Sequence, residues 1–300
     1  MKLVRFEVEG HTVVGALTPN GAYAVDLAHA YALAGHAAEE AASVFHESMS
    51  GFLANGEAGL DLARELVAAP PSEALYPLEQ VALRAPVGDP GKIMCIGQNY
   101  RDHCEEQNQP IPERAILFAK YSNTLNDPGG VIRLPKVSPE IDYEAELAVV
   151  IGGPGGGGRE ITEADALNHV AGYLCANDVT ARDIQRGDGQ WVRGKSPDTF
   201  FPIGPYLVTA DEIPDPHTLD ISLTLNGKTM QQSNTSNLIF RIPFLISYLS
   251  QTMTLRPGDI LSTGTPGGVG VYRKPQVFLQ PGDTVSVTIQ GLGTLTNTVA

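Results

Sequence analysis

Three hundred residues, 42% of them hydrophobic, suffice for one large domain or two ordinary ones with a real core. Acidic side chains outnumber basic ones 34 to 20, giving a formal net charge of −14 and a pI near 4.8, a field that repels nucleic acid and anionic membranes. No run reaches the ~20 apolar residues of a membrane span, the N-terminal MKLVRFEVEG has no signal-peptide core, and Cys95, Cys104 and Cys175 form no CxxC pair, which argues against a disulfide framework or a zinc site. The chain reads as a soluble protein of a reducing compartment, the cytoplasm, with no nucleic-acid or membrane partner.

The first 27 residues alternate and turn, predicting a small β-meander with Asn20-Gly21 as a hairpin turn. From Leu27 to Ala69 the texture becomes Ala-, Glu- and Leu-rich with helical spacing, as in Leu60, Ala63, Leu66 and Val67, and Pro70-Pro71 ends it. Residues 1–70 thus read as a small α+β N-terminal domain, 71–91 as a Pro-, Ser- and Gly-bearing linker, and 92–300 as a second, larger domain. After Lys92 short strands follow one another: KIMCIG, AILFAK, GVIRL, YEAELAVVIG, VAGYLCAND, LDISLTLNG, DILSTG and TVSVTIQG. Pro257-Gly258-Asp259 and Pro281-Gly282-Asp283 are turns leading into strands, and Asn226-Gly227 marks a hairpin. Two helices interrupt, Thr162–His169 with Thr162 as N-cap, and about Pro243–Gln251 with Phe244, Leu245, Tyr248 and Leu249 on one face. The run GGPGGGG at 152–158 reads as a floppy hairpin tip. Frequent strands without regularly alternating helices predict a mostly β sandwich or barrel with some α structure, not a doubly wound sheet.

Residues 189–196, GQWVRGKS, match the phosphate-loop pattern G-x-x-x-x-G-K-[ST]. A phosphate cradle needs a buried strand before it and a helix after it. Here a polar stretch precedes and Pro197 follows, so the match is read as chance.

The carboxylates are more informative. In DYEAELAVVIG an apolar strand opens with Glu144 and Glu146, which share a face because side chains alternate. A solvated strand end would carry such charges too. Asp178, at the mouth of the apolar strand VAGYLCA, shifts the balance, since three strand-end carboxylates make an all-oxygen site for Mg²⁺, Mn²⁺ or Ca²⁺. His103 and Glu106 are three apart and would face together on a helical turn, either as an oriented base or as an ordinary polar turn. Arg182 and Gln185 follow Asp178 at helical offsets and could line one side of a pocket, with a surface salt bridge as the alternative for Arg182.

Taken together, IGQNYRDHCEEQNQPIPE, ILFAK, DYEAELAVVIG, VAGYLCANDVTARDIQ, KSPDTFFPIGPYLVT, NGKTMQQSNTS, PGDILSTGTPGGVG and PGDTVSVTIQGLGTLTN resemble, in order, the fumarylacetoacetate hydrolase superfamily over about Lys92 to Asn297. The chain looks most similar to the domain-containing subgroup with a small N-terminal domain. The resemblance implies a mixed β-sandwich roll, a homodimer, and a divalent metal, typically Mg²⁺, at Glu144, Glu146 and Asp178. It implies that His103 and Glu106 form a water-activating dyad and that Lys195 stands beside the metal. Arg182, Gln185 and Thr265 would contact the substrate. Ser196-Pro197 departs from the more usual Ser/Thr-Phe after the lysine, and the glycine run replaces a short charged turn.

The implied activity is enolate chemistry of small anionic 2-oxo acids through a metal-bound enolate. Hydrolytic C–C cleavage of a β-diketone or acylpyruvate comes first. Oxaloacetate keto–enol tautomerisation or decarboxylation, or a hydroxymuconate-type isomerisation, is the alternative, since all share the enolate. A non-catalytic metal-binding module would be expected to lack the dyad, which this chain keeps.

Overall fold

The computed structural model describes residues 1–45 and 48–300. Strands Lys2–Val8, His11–Leu17 and Tyr23–Asp26 pair antiparallel, as their alternation predicts, and Gly21 supplies the positive φ (+71°) that the turn after Asn20 needs. Lys2–Val8 also pairs with Phe201–Thr209. The meander therefore continues a 12-stranded sheet running through Val170–Asn177, Ala145–Ile151, Ile260–Ser262 and Ile93–Gly97 to an edge at Ile116–Lys120. Residues 71–91 differ from the linker expected from composition. Leu75–Pro77 pairs with Tyr23–Asp26 and Leu83–Arg84 with Lys2–Val8, because the short apolar runs between the prolines are long enough for two- and three-residue pairings.

The helical stretch resolves into Leu27–Leu33, Ala38–Phe45, Met49–Leu53 and Gly56–Ala68; residues 46 and 47 lie outside the described residues. Asp26 caps the first helix by accepting the His29 N–H at 3.0 Å. In the last, Leu60, Ala63, Leu66 and Val67 are buried together, as their spacing requires.

A second sheet of five strands orders Lys228–Asn234, Asp220–Leu225, Thr284–Ile289, Gly293–Val299 and Val131–Ile132. Asn226 and Gly227 both have positive φ (51° and 76°), the signature of a two-residue hairpin turn. The two sheets explain why LAVVI, Leu147–Ile151, reads as unbroken apolar sequence. Leu147 and Val149 pack with Ile221, Leu223, Val285 and Val287 of the second sheet, whereas Ala148 and Val150 pack with Phe52, Leu53 and Leu60 of the N-terminal helices. Both faces of the strand are covered, so alternation disappears.

Three local expectations are corrected. Thr162–His169 forms only a 3-10 turn at Ala166–His169, uncapped by Thr162. The helix Ile242–Ser250 buries Ile242, Leu245, Ile246 and Leu249, while Phe244 is half-buried and stacks between Phe240 and the exposed Tyr248; apolar side chains occur on more than one face, so spacing could not choose between them. The glycine run is pinned rather than floppy. The Gly155 N–H bonds Asn168 O at 2.7 Å, Gly158 and Leu255 exchange backbone bonds, and a Cβ on Gly153 would sit 2.5 Å from Val170 O.

Candidate active site

The strand Ala145–Ile151 is paired on both sides, with Val170–Asn177 and Ile260–Ser262. The Asp178 N–H donates to Glu144 O at 2.9 Å, tying the two strand ends together. Glu144, Glu146 and Asp178 are 4%, 2% and 0% exposed, and each places an oxygen within 4.8 Å of the others. A solvated strand end is therefore ruled out.

The carboxylates are compensated unequally. Arg182 Nη2 lies 2.6 Å from Glu144 Oε1, and Lys195 Nζ donates to Glu144 Oε2 at 2.6 Å and to Asp178 Oδ2 at 2.7 Å. Burial works against the Glu144 carboxylate, but Arg182 and Lys195 outweigh it and bring its pKa down to about 2. Glu146 accepts only from neutral groups, the Ser262 hydroxyl and the Gly264 N–H, and forms no ion pair among the described residues. Burial, with Asp178 and Glu144 nearby, pushes its pKa well above the carboxylate range. Such a carboxylate lacks a cation. The all-oxygen donor set, without thiolate or imidazole, fits a hard divalent ion. Glu144, Glu146 and Asp178 could therefore hold one.

His103 and Glu106 come together on the short helix Arg101–Glu106, with His103 Nδ1 2.7 Å from Glu106 Oε1. A carboxylate only accepts, so Nδ1 donates to it, and the bond fixes the imidazole ring. The other Glu106 oxygen accepts the Gly268 N–H at 2.7 Å. Gly268 has φ +102°, and a Cβ there would lie 2.3 Å from Met230 O, so the loop Thr265–Gly270 can approach closely only as glycine.

Arg182 donates from Nε to Asp142 at 2.8 Å and from Nη1 to Gln185 Oε1 at 3.2 Å. Asp142 is fully buried and also accepts N–H groups from Tyr143, Gly270 and Val271. It is a clamp on Arg182. All the residues singled out from sequence, except Glu106 and Asp178, line one cavity of about 170 Å³. Those two bond to residues that do line it. Thr265 takes part, its hydroxyl accepting from Gln231 Nε2 at 2.8 Å.

Sequence reasoning missed Lys120, Gln231, Gln98, Gln107, Trp191 and Tyr272. Lys120 is buried and donates to Asp178 Oδ1 at 2.6 Å; the signal available was a lysine closing the apolar strand ILFAK. Gln231 accepts the Ala145 N–H at 2.8 Å and donates to Thr265, beside an exposed Gln232, so composition gave no cue. In the phosphate-loop match, the element directly before Trp191 is the helix Arg182–Gly187, not a strand, and Val192–Lys195 is one helical turn.

The family profile described as fumarylacetoacetate (FAA) hydrolase C-terminal matches residues 92–300. The chain belongs to the fumarylacetoacetate hydrolase family. It is 48% identical to oxaloacetate tautomerase Fahd2a, mitochondrial, of Rattus norvegicus over 254 residues, covering 84% of this chain and 80% of the relative. It is 46% identical to oxaloacetate tautomerase FAHD2A, mitochondrial, of Homo sapiens over 255 residues, with the same coverage. A solved fumarylacetoacetate hydrolase from psychrophilic Exiguobacterium antarcticum superimposes with TM-score 0.81 at 34% identity, covering 100% of this chain and 99% of that one. As a family member the chain is an enzyme of the hydrolase, tautomerase or isomerase kind, with more strand than helix, and its buried Glu/Glu/Asp triad is typical of the family's divalent metal site. No helix among the described residues is long and apolar enough to cross a membrane. The two relatives are named as mitochondrial, which lends the cytoplasmic expectation no support.

Proposed function

We propose that this protein is a Mg²⁺-dependent keto–enol tautomerase of oxaloacetate-type 2-oxo acids. The likeness to the two named tautomerases over most of both chains carries the reading. The cavity supports it: about 170 Å³ is small beside the roughly 300–1,000 Å³ of sites for drug-sized ligands, and it suits a four-carbon acid. C–C hydrolysis, ranked first by sequence, becomes the second reading, kept by the His103–Glu106 pair and by the hydrolase that shares the fold.

Tautomerisation moves one proton between C3 and the C2 oxygen and needs no co-reactant. A divalent cation at Glu144, Glu146 and Asp178 would supply Lewis-acid stabilisation of the charge that develops on that oxygen. His103 Nε2, its ring fixed by Glu106, takes the proton from C3 and passes it to the C2 oxygen, or carries it the other way when the enol reverts to the ketone. Lys195 and Arg182 place positive charge beside the anionic end of the substrate. Thr265 and Gln185 orient it. We further propose a homodimer, which light scattering would test.

The deciding measurement follows the ultraviolet absorbance of enol-oxaloacetate with Mg²⁺ and with EDTA, beside a panel of acylpyruvates. Enol loss should accelerate only with the metal, and His103→Ala should slow it by about 10²–10⁴-fold. Cleavage of acylpyruvates without effect on oxaloacetate would return hydrolysis to first place.

A further inference from the structure

The cavity has two chemically different ends. Asp142, Glu144, Glu146 and Asp178 face Lys120, Arg182 and Lys195 at the inner end, so the buried carboxylates exceed the buried cations by one. A divalent cation brings that end to about +1, enough for one substrate carboxylate. A 2-oxo dicarboxylic acid has a second, and it needs other partners.

The outer end offers neutral donors. Gln98 has a positive φ of 52°, a conformation few non-glycine residues hold. Its Nε2 donates to Gln107 Oε1 at 3.3 Å, and the Tyr272 hydroxyl donates to the same oxygen at 3.3 Å. All three residues line the cavity. Both bonds converge on Gln107 Oε1, and Gln107 Nε2 has no protein acceptor among the described residues. The Tyr272 ring stands edge-on to His103, centroids 6.1 Å apart, so this cluster adjoins the imidazole. Arg186, the other cation at this end, is half exposed and paired with Glu140.

We propose that the Gln98 and Gln107 amides, with the Tyr272 hydroxyl holding the Gln107 oxygen, form a neutral donor clamp for the remote carboxylate of a short 2-oxo dicarboxylic acid, and so determine specificity. The inference rests on the tautomerase reading for its choice of substrate class. It deepens that reading by separating recognition of the two carboxylates, charge at the inner end and amide donors at the outer.

The test is calorimetric binding to the Mg²⁺-loaded protein of two probes. One is 3,3-difluorooxaloacetate, which cannot enolise; the other is oxalate, which has the chelating end alone. The readout is the ratio of their affinities. Gln107→Leu should lower the ratio about tenfold, as loss of a hydrogen bond to a charged group does, with oxalate affinity held within about twofold. Gln107→Glu, which keeps the shape and adds repulsion, should lower it further. A ratio that falls less than about fivefold in Gln107→Glu overturns the clamp. If the wild type fails to tautomerise oxaloacetate, the parent reading falls, while the ratio still decides the clamp.

Discussion

Glu144 and Glu146 are two positions apart on one strand end, and their surroundings drive them in opposite directions. Two cations hold Glu144 ionised, with its pKa near 2. Glu146 has only a hydroxyl and an amide. Its folded pKa is raised above the ordinary 4.5, so in the metal-free protein its contribution to stability is greatest below that value and declines as pH rises through and beyond it. Glu146→Gln should therefore stabilise the protein in EDTA at pH 7 by on the order of 1–3 kcal/mol, flatten the fall of stability with pH, and abolish Mg²⁺ binding. Thermal unfolding across pH, with and without metal, checks all three. Which residues gather at the site was largely legible, because strand alternation, helical offsets and the family motifs each specify relative direction. Their compensation was not. That Asp142 clamps Arg182, or that Lys120 reaches Asp178, depends on elements 40 and 58 residues apart in sequence, and no local pattern encodes such a meeting.

At the scale of elements, the turns were the most legible features. Asn20-Gly21, Asn226-Gly227, Pro257-Gly258 and Pro281-Gly282 all place a glycine at positive φ, since turn chemistry is decided within a few residues. Strands of two or three residues, such as Leu83–Arg84, and the buried face of the helix Ile242–Ser250 escaped, because both are set by what packs on them. The glycine run shows the same limit: low complexity suggests freedom, yet its glycines are demanded by contact. Gly153→Ala introduces a side chain at φ +68°, with its Cβ 2.5 Å from Val170 O. It should cost about 1–3 kcal/mol in urea unfolding.

Across the whole molecule, one sheet runs from the N-terminal meander to the edge at Ile116–Lys120, and the site lies where its central strands end. A ligand held there stabilises the entire sheet by mass action. Mg²⁺ at about 100 times its dissociation constant should raise the unfolding free energy by about 2.7 kcal/mol, read as a concentration-dependent melting temperature. The uncompensated Glu146 carboxylate then carries a consequence outside catalysis. An empty site would burden the folded state and a filled one relieve it, so cation supply should set how often the chain opens to proteases. Cells starved of the ion should hold less of this protein, not merely a less active form of it.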